Sequence, residues 1–94
     1  MKIVLLDMAT MGSDMEFSCI ERLGECVKYE NTLCGEVSER IKDADVVVIN
    51  KVQLGREVLK EAKNLKLICV FAIGYNNVDI EYCRENNIRV RNVP

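Results

Sequence analysis

The chain has 94 residues, of which 49% are hydrophobic and 30% are charged, and its formal charge is −2 at neutral pH. These values are typical of one small globular domain, and they give no sign of a nucleic-acid-binding surface. The longest apolar runs, 3–6 and 46–49, are far shorter than a membrane span, and Asp7 interrupts the first run too early for a secretory signal. We therefore expect a cytoplasmic protein that binds neither a membrane nor nucleic acid.

The apolar pattern predicts strands that alternate with helices. The run Lys2–Leu6 has the β-branched and leucine composition of a strand buried on both faces. Ser13 and Glu16 form a capping box, which predicts a helix that ends near Leu23, with Gly24 as its C-terminal cap. The first element pair is therefore a central strand and the helix that follows it.

The same alternation continues to the end of the chain. The further predicted strands are 25–29, 45–49, 67–71 and 88–93, and the further predicted helices are 35–42, 55–63 and 78–85. For the last helix, Asn77 is the predicted cap and Asp79 lies in the first turn. Short links between strands and helices imply right-handed crossovers and a parallel sheet. We predict a flavodoxin-like, doubly wound α/β fold over residues 1–94, with five strands and helices on both faces.

In such a sheet, ligands bind outside the carboxyl ends of the strands. That rule selects four loops, at 7–12, 31–34, 50–54 and 72–77. The residue types that are missing then narrow the chemistry. The chain has no histidine, and its five glycines never stand two apart, so neither a histidine base nor a G-x-G-x-x-G dinucleotide turn is present. We predict no catalytic, cofactor-binding or metal-binding residue within these 94.

Five cysteines stand in the chain without a C-x-x-C pair. This spacing argues against a zinc site and against a disulfide framework. Most of the cysteines are therefore expected to be small buried apolar residues.

The most specific motif lies between residues 64 and 94. Residues 72–79 read Ala-Ile-Gly-Tyr-Asn-Asn-Val-Asp, and the last strand ends in Asn92-Val93-Pro94. This segment resembles the D-specific 2-hydroxyacid dehydrogenase family, in which a strand leads into a Gly-aromatic-Asn/Asp-Asn-Ile/Val-Asp turn and a later strand ends in Asn-x-Pro. Residues 43–48 with Asn50-Lys51 look like the third strand and loop of the family, and Asn50-Lys51 is particularly similar to its hydroxypyruvate reductase or glycerate dehydrogenase branch. The first 40 residues contribute mainly the order of elements.

The resemblance implies the N-terminal part of a substrate-binding domain, in an enzyme that uses NAD or NADP to reduce 2-oxoacids of the hydroxypyruvate type to D-2-hydroxyacids. In the family, a second domain carries the cofactor fingerprint, an arginine for the substrate, and a histidine paired with an acid, and none of these is in this sequence. The 94 residues alone are therefore expected to bind no cofactor and to be inactive. An apolar patch should be left exposed, so we expect self-association, and a homodimer for the parent enzyme.

The candidate substrate-binding residues are Asn50, Lys51, Ile73 and Gly74. Without a Cβ at Gly74, backbone N–H groups around Ile73 and Gly74 can form a nest for a substrate carboxylate, although a glycine after a strand can also serve only to permit a turn. Lys51 is either a cation beside the substrate or solvated surface. Asn50 either hydrogen-bonds the substrate or closes its own loop.

Two other classes of protein share this fold. A phosphoacceptor receiver domain also has an acid, here Asp7, after the first strand, but its phosphorylated aspartate would be expected after the third strand, where this chain has Ile49-Asn50. A non-catalytic module that binds a small acid is the other alternative.

Overall fold

The computed structural model describes residues 1–8, 24–71 and 76–92. Within these residues the sheet strands and helices alternate along the chain. The strands are β1 (Lys2–Leu5), β2 (Glu25–Lys28), β3 (Val46–Ile49), β4 (Leu67–Val70) and β5 (Arg89–Asn92). The helices are α1 (Val37–Ile41), α2 (Arg56–Leu59) and α3 (Ile80–Glu85).

The strands form one sheet in the order β2-β1-β3-β4-β5, and every neighbouring pair is parallel. This order confirms the predicted flavodoxin-like sheet. The chain first moves outward from β1 to β2, then crosses back over β1 to β3 and continues to β5 in the other direction. The reversal lies between β1 and β3, at the centre of the sheet.

Side chains alternate between the two faces of the sheet because successive strand residues point in opposite directions. One face carries the larger core, to which each described helix contributes buried residues: Val37 and Ile41 from α1, Leu59 from α2, and Cys83 from α3. The predicted packing of helices on the sheet is therefore confirmed for this face.

Among the described residues, the opposite face of the sheet carries a second, smaller cluster, and this face is called the smaller apolar face below. Its buried centre comes from β1 and β3, and Leu67, Cys69 and Phe71 lie half-buried beside it. The helix predicted between Ser13 and Leu23 lies outside the described residues, as does its capping box. The strands of this centre are apolar on both faces, as their sequences predict.

The helices are shorter than predicted at their ends. After Leu59, the backbone bonds of α2 change to the tighter pattern of N–H to the carbonyl three residues earlier, with Glu61 bonded to Val58 and Ala62 to Leu59. The predicted start of α3 is also wrong. Val78 forms a parallel bridge with Leu54 instead of joining the helix.

The expectation that most cysteines are buried is wrong for the described ones. Cys83 is buried in the core below α3, but Cys26 and Cys69 are only half-buried and Cys34 is exposed. Cys26 and Cys69 pack against the cluster on the smaller apolar face.

Candidate functional site

The residues directly after β1 and the loop after β3 lie side by side at the carboxyl edge of the sheet, where the strand order reverses. In open α/β sheets this reversal leaves a crevice in which ligands bind. Asp7 is one of the residues after β1. The loop after β3, residues 50–54, is called the β3 loop below.

Asp7 lies beneath the β3 loop and is only 4% exposed. Its Oδ1 accepts a hydrogen bond from the backbone N–H of Asn50 (2.8 Å), and its Oδ2 accepts from the N–H groups of Lys51 (2.6 Å) and Val52 (3.1 Å). A buried carboxylate loses its hydration, and bonds from three N–H donors offset that cost. The β3 loop is therefore fixed from the side of β1.

Asn77 holds the same loop from the side of β4. Its Nδ2 donates to the carbonyl oxygens of Asn50 (3.2 Å) and Val52 (2.8 Å), and its own carbonyl accepts from the N–H of Leu54 (2.7 Å). The N–H of Asp79 in turn donates to the carbonyl of Leu54 (3.0 Å). These bonds tie the β3 loop to the segment that leads into α3.

The helix cap assigned to Asn77 is a wrong prediction. Asp79 is the N-cap of α3, and its Oδ1 accepts from the N–H of Tyr82 at 3.0 Å. The side chain of Asn77 is instead committed to the carbonyls of the β3 loop. A cap prediction from local sequence misses this because the partners of Asn77 are 25 and 27 residues away.

Of the predicted site residues, Asn50 is half-buried and Lys51 is exposed, and both lie in the β3 loop. Ile73 and Gly74 lie outside the described residues, so their nest stays a prediction. The residues that flank them are described: the N–H of Phe71 donates to Ile49 (2.9 Å), and Asn77 bonds to the β3 loop. Phe71 and Asn77 thus lie beside the end of β3 and the β3 loop.

The geometry decides which groups of the β3 loop can meet an anion. The backbone N–H groups of its first three residues already bond to Asp7, so they offer no anion-binding nest. The ammonium group of Lys51 makes no ion pair with any described residue and stands on an exposed side chain. An anionic ligand at this loop would therefore be recognised by side chains.

Asp7 is the residue whose role the sequence did not predict. From the sequence alone, Asp7 is only the acid after the first strand that a phosphoacceptor receiver domain would also have. Its three backbone donors commit the carboxylate to the loop, which argues against the receiver alternative. The contact of Asp7 with the β3 loop could have been predicted only from the strand order, since a 2-1-3 order puts the residue after β1 beside the loop after β3.

Among residues 1–8, 24–71 and 76–92, no group of three or more metal-ligating side chains forms a cluster. In the same ranges, no helix is long and apolar enough to cross a membrane. Burial raises the pKa of the Cys69 thiol, an effect that Arg91 partly opposes, and it also raises the pKa of Cys83. Both thiols lie away from the β3 loop, in β4 and α3.

The strand order is that of a doubly wound α/β domain, a fold in which ligands bind at the carboxyl edge of the sheet, where the β3 loop lies. The family model for the D-isomer specific 2-hydroxyacid dehydrogenase catalytic domain matches residues 4–94, and the chain belongs to this family. The resemblance inferred from residues 64–94 is thereby confirmed.

Two relatives illustrate the range of the family. Hydroxypyruvate reductase from Blautia hydrogenotrophica is 40% identical over 98 aligned residues, which cover 100% of this chain and 30% of that protein. A solved structure of cofactor (NAD+)-bound 3-phosphoglycerate dehydrogenase from Entamoeba histolytica matches with a TM-score of 0.82 and 33% identity, over 100% of this chain and 33% of that one. The chain thus spans about a third of the length of these relatives.

Proposed function

We propose that this chain is the substrate-binding part of an NAD(P)-dependent dehydrogenase that reduces a 2-oxoacid of the hydroxypyruvate type to the D-2-hydroxyacid. The observation that carries the proposal is the braced β3 loop, which presents Lys51 at the carboxyl edge of a sheet that belongs to this family. The relative named hydroxypyruvate reductase supports the choice of substrate class.

In this proposal, the chain binds and orients the carboxylate of the substrate. The ammonium group of Lys51 supplies a positive charge, and the side chain of Asn50 supplies polar contacts beside it. The backbone N–H groups at Ile73 and Gly74 complete the site from the adjoining segment. Two different kinds of donor would then fix the carboxylate, which leaves the carbonyl carbon in a defined position.

The cofactor of the proposed enzyme is NAD or NADP, which supplies the hydride. The residues of this chain do not fit a dinucleotide, because the sequence has no G-x-G-x-x-G and the first strand is followed by Asp7 bonded to the β3 loop. We therefore assign to these residues substrate binding only and expect no turnover from the 94 residues alone.

The experiment is a titration of the chain with hydroxypyruvate, with affinity measured for the wild type, Lys51→Ala and Lys66→Ala. Lys66 is an exposed lysine just before β4, at the opposite edge of the sheet, and serves as the matched control. We expect Lys51→Ala to weaken binding about fivefold, as for loss of about 1 kcal/mol from an exposed ion pair, and Lys66→Ala to leave it unchanged. Equal effects of the two variants would contradict the proposed site.

A further inference from the structure

The β3 loop is held by two side chains that come from different parts of the chain. Asp7 accepts from N–H groups of the loop, and Asn77 donates to carbonyl groups of the same loop. Donors and acceptors of one short segment are thus satisfied from opposite sides. We call this pair of residues the loop clamp.

The loop clamp constrains the conformation of the β3 loop. A single carboxylate receives the N–H groups of three consecutive residues, Asn50 to Val52. Since these N–H groups must all point to the two oxygens of one carboxylate, the backbone dihedral angles between them are constrained. The directions in which the side chains of Asn50 and Lys51 leave the backbone are constrained with them.

The carboxylate of Asp7 also determines which groups of the β3 loop can bind an anion. It occupies the backbone donors that would otherwise form a nest, and it places a negative charge below them. An anionic ligand is therefore directed to the ammonium group of Lys51. Within the β3 loop, recognition of the anion therefore depends on a side chain, because the backbone N–H groups of the loop are occupied.

We propose that Asp7 and Asn77 are positioning residues, which set the β3 loop in the shape from which Asn50 and Lys51 meet the substrate carboxylate. The proposal rests on the proposed function, because it concerns the same site. It adds two residues that touch no substrate and act through the loop backbone.

The test compares Asp7→Asn with Asp45→Asn. Asp45 is a matched control because its Oδ2 also accepts from a backbone N–H, that of Lys2 at 2.8 Å, but at the amino end of β3. The amide proton resonances of residues 50–52 are measured without ligand, and the affinity for hydroxypyruvate is measured next. The first readout reports the loop shape, and the second reports its consequence.

In Asp7→Asn, the amide protons of residues 50–52 should shift and exchange faster, because an uncharged carboxamide is a weaker acceptor than a carboxylate. The affinity should fall about tenfold, as for the loss of a hydrogen bond to a charged group. Asp45→Asn should shift the amide of Lys2 and leave the affinity unchanged. Asn77→Asp removes the donor to Asn50 and Val52 without a change in size, and it should weaken binding in the same direction even if Asp7→Asn fails to fold.

Two failures can be told apart. If hydroxypyruvate does not move the resonances of the β3 loop in the wild type, the proposed function is wrong, and the positioning role is overturned with it. If the wild type binds while both clamp variants bind equally well with altered loop amides, only the positioning role is overturned.

Discussion

Cys83 is a buried residue of α3 whose surroundings raise the pKa of its thiol. Burial, and next the negative charge of Asp79, raise the pKa of its thiol from 9.0 to about 11. In the unfolded chain the thiol ionises at its ordinary pKa, whereas in the folded chain it stays neutral to higher pH. Its contribution to the free energy of unfolding is therefore complete below pH 9 and is lost as the pH rises to about 11.

We expect Cys83→Ala to make the decline in unfolding free energy between pH 9 and 11 shallower. Urea unfolding at a series of pH values measures this directly. Val37→Ala is the matched control, since Val37 is equally buried in the same core but does not titrate. The control should lower stability at every pH and keep the full decline. An unchanged slope in Cys83→Ala would contradict the assigned cause.

At the scale of single residues, the sequence predicted where a residue lies in the fold better than it predicted which residues it contacts. Asn50 and Lys51 lie after β3, as their place behind an apolar run predicts. The partners of Asp7 are 43 to 45 residues away in sequence, and no local pattern identifies them. Such pairings depend on the strand order, which has to be known first.

At the scale of elements, α3 depends on its cap more than on its length. It has six residues, too few for a helix that is stable in isolation, and its N-terminus is closed by the bond from the Tyr82 N–H to Asp79. Arg56 of α2 also approaches Asp79 at 3.7 Å and Glu85 at 3.4 Å, which links the two helices at the surface.

We expect Asp79→Ala to lower the free energy of unfolding by about 1 kcal/mol, the usual cost of a lost N-cap. Glu81→Gln is the control, because Glu81 is an exposed acid in the first turn of α3 and is not its cap. The control should change stability by no more than about 0.5 kcal/mol. Equal losses in the two variants, measured by urea unfolding, would contradict the role of the cap.

The length of the helices was less predictable than their existence. An apolar pattern over 55–63 predicts a helix, but the bonds beyond Leu59 tighten so that Ala62 and Leu65 reach the core before β4 begins. Likewise, Val78 is drawn into a bridge with Leu54. In both places a tertiary contact overrides the local preference.

At the scale of the whole molecule, the doubly wound class of fold followed from the alternation of elements, because parallel neighbours with short links permit few arrangements. The state of association cannot be predicted from that alternation. The smaller apolar face has Leu67, Cys69 and Phe71 only half-buried, and a chain of this size buries a modest fraction of its surface.

We expect the chain to self-associate reversibly, with apolar contact as the driving force. Sedimentation equilibrium over a range of concentrations measures the association constant. Phe71→Ser should weaken association, whereas Leu33→Ser should leave it unchanged, because Leu33 is exposed on the loop after β2 and lies outside both apolar clusters. A monomer at all concentrations would contradict this expectation.

In the proposed function, the carboxyl edge formed by β1, β3 and β4 binds the carboxylate of a 2-oxoacid. The most direct test is a map of the amide resonances that move when hydroxypyruvate is added to the uniformly labelled chain. We expect saturable shifts in the β3 loop and in residues 72–77, with none at the amino ends of the strands. Shifts confined to other surfaces would contradict the proposed site. The absence of a saturable shift at millimolar ligand would also contradict it, because the binding free energy would then be weaker than about −4 kcal/mol.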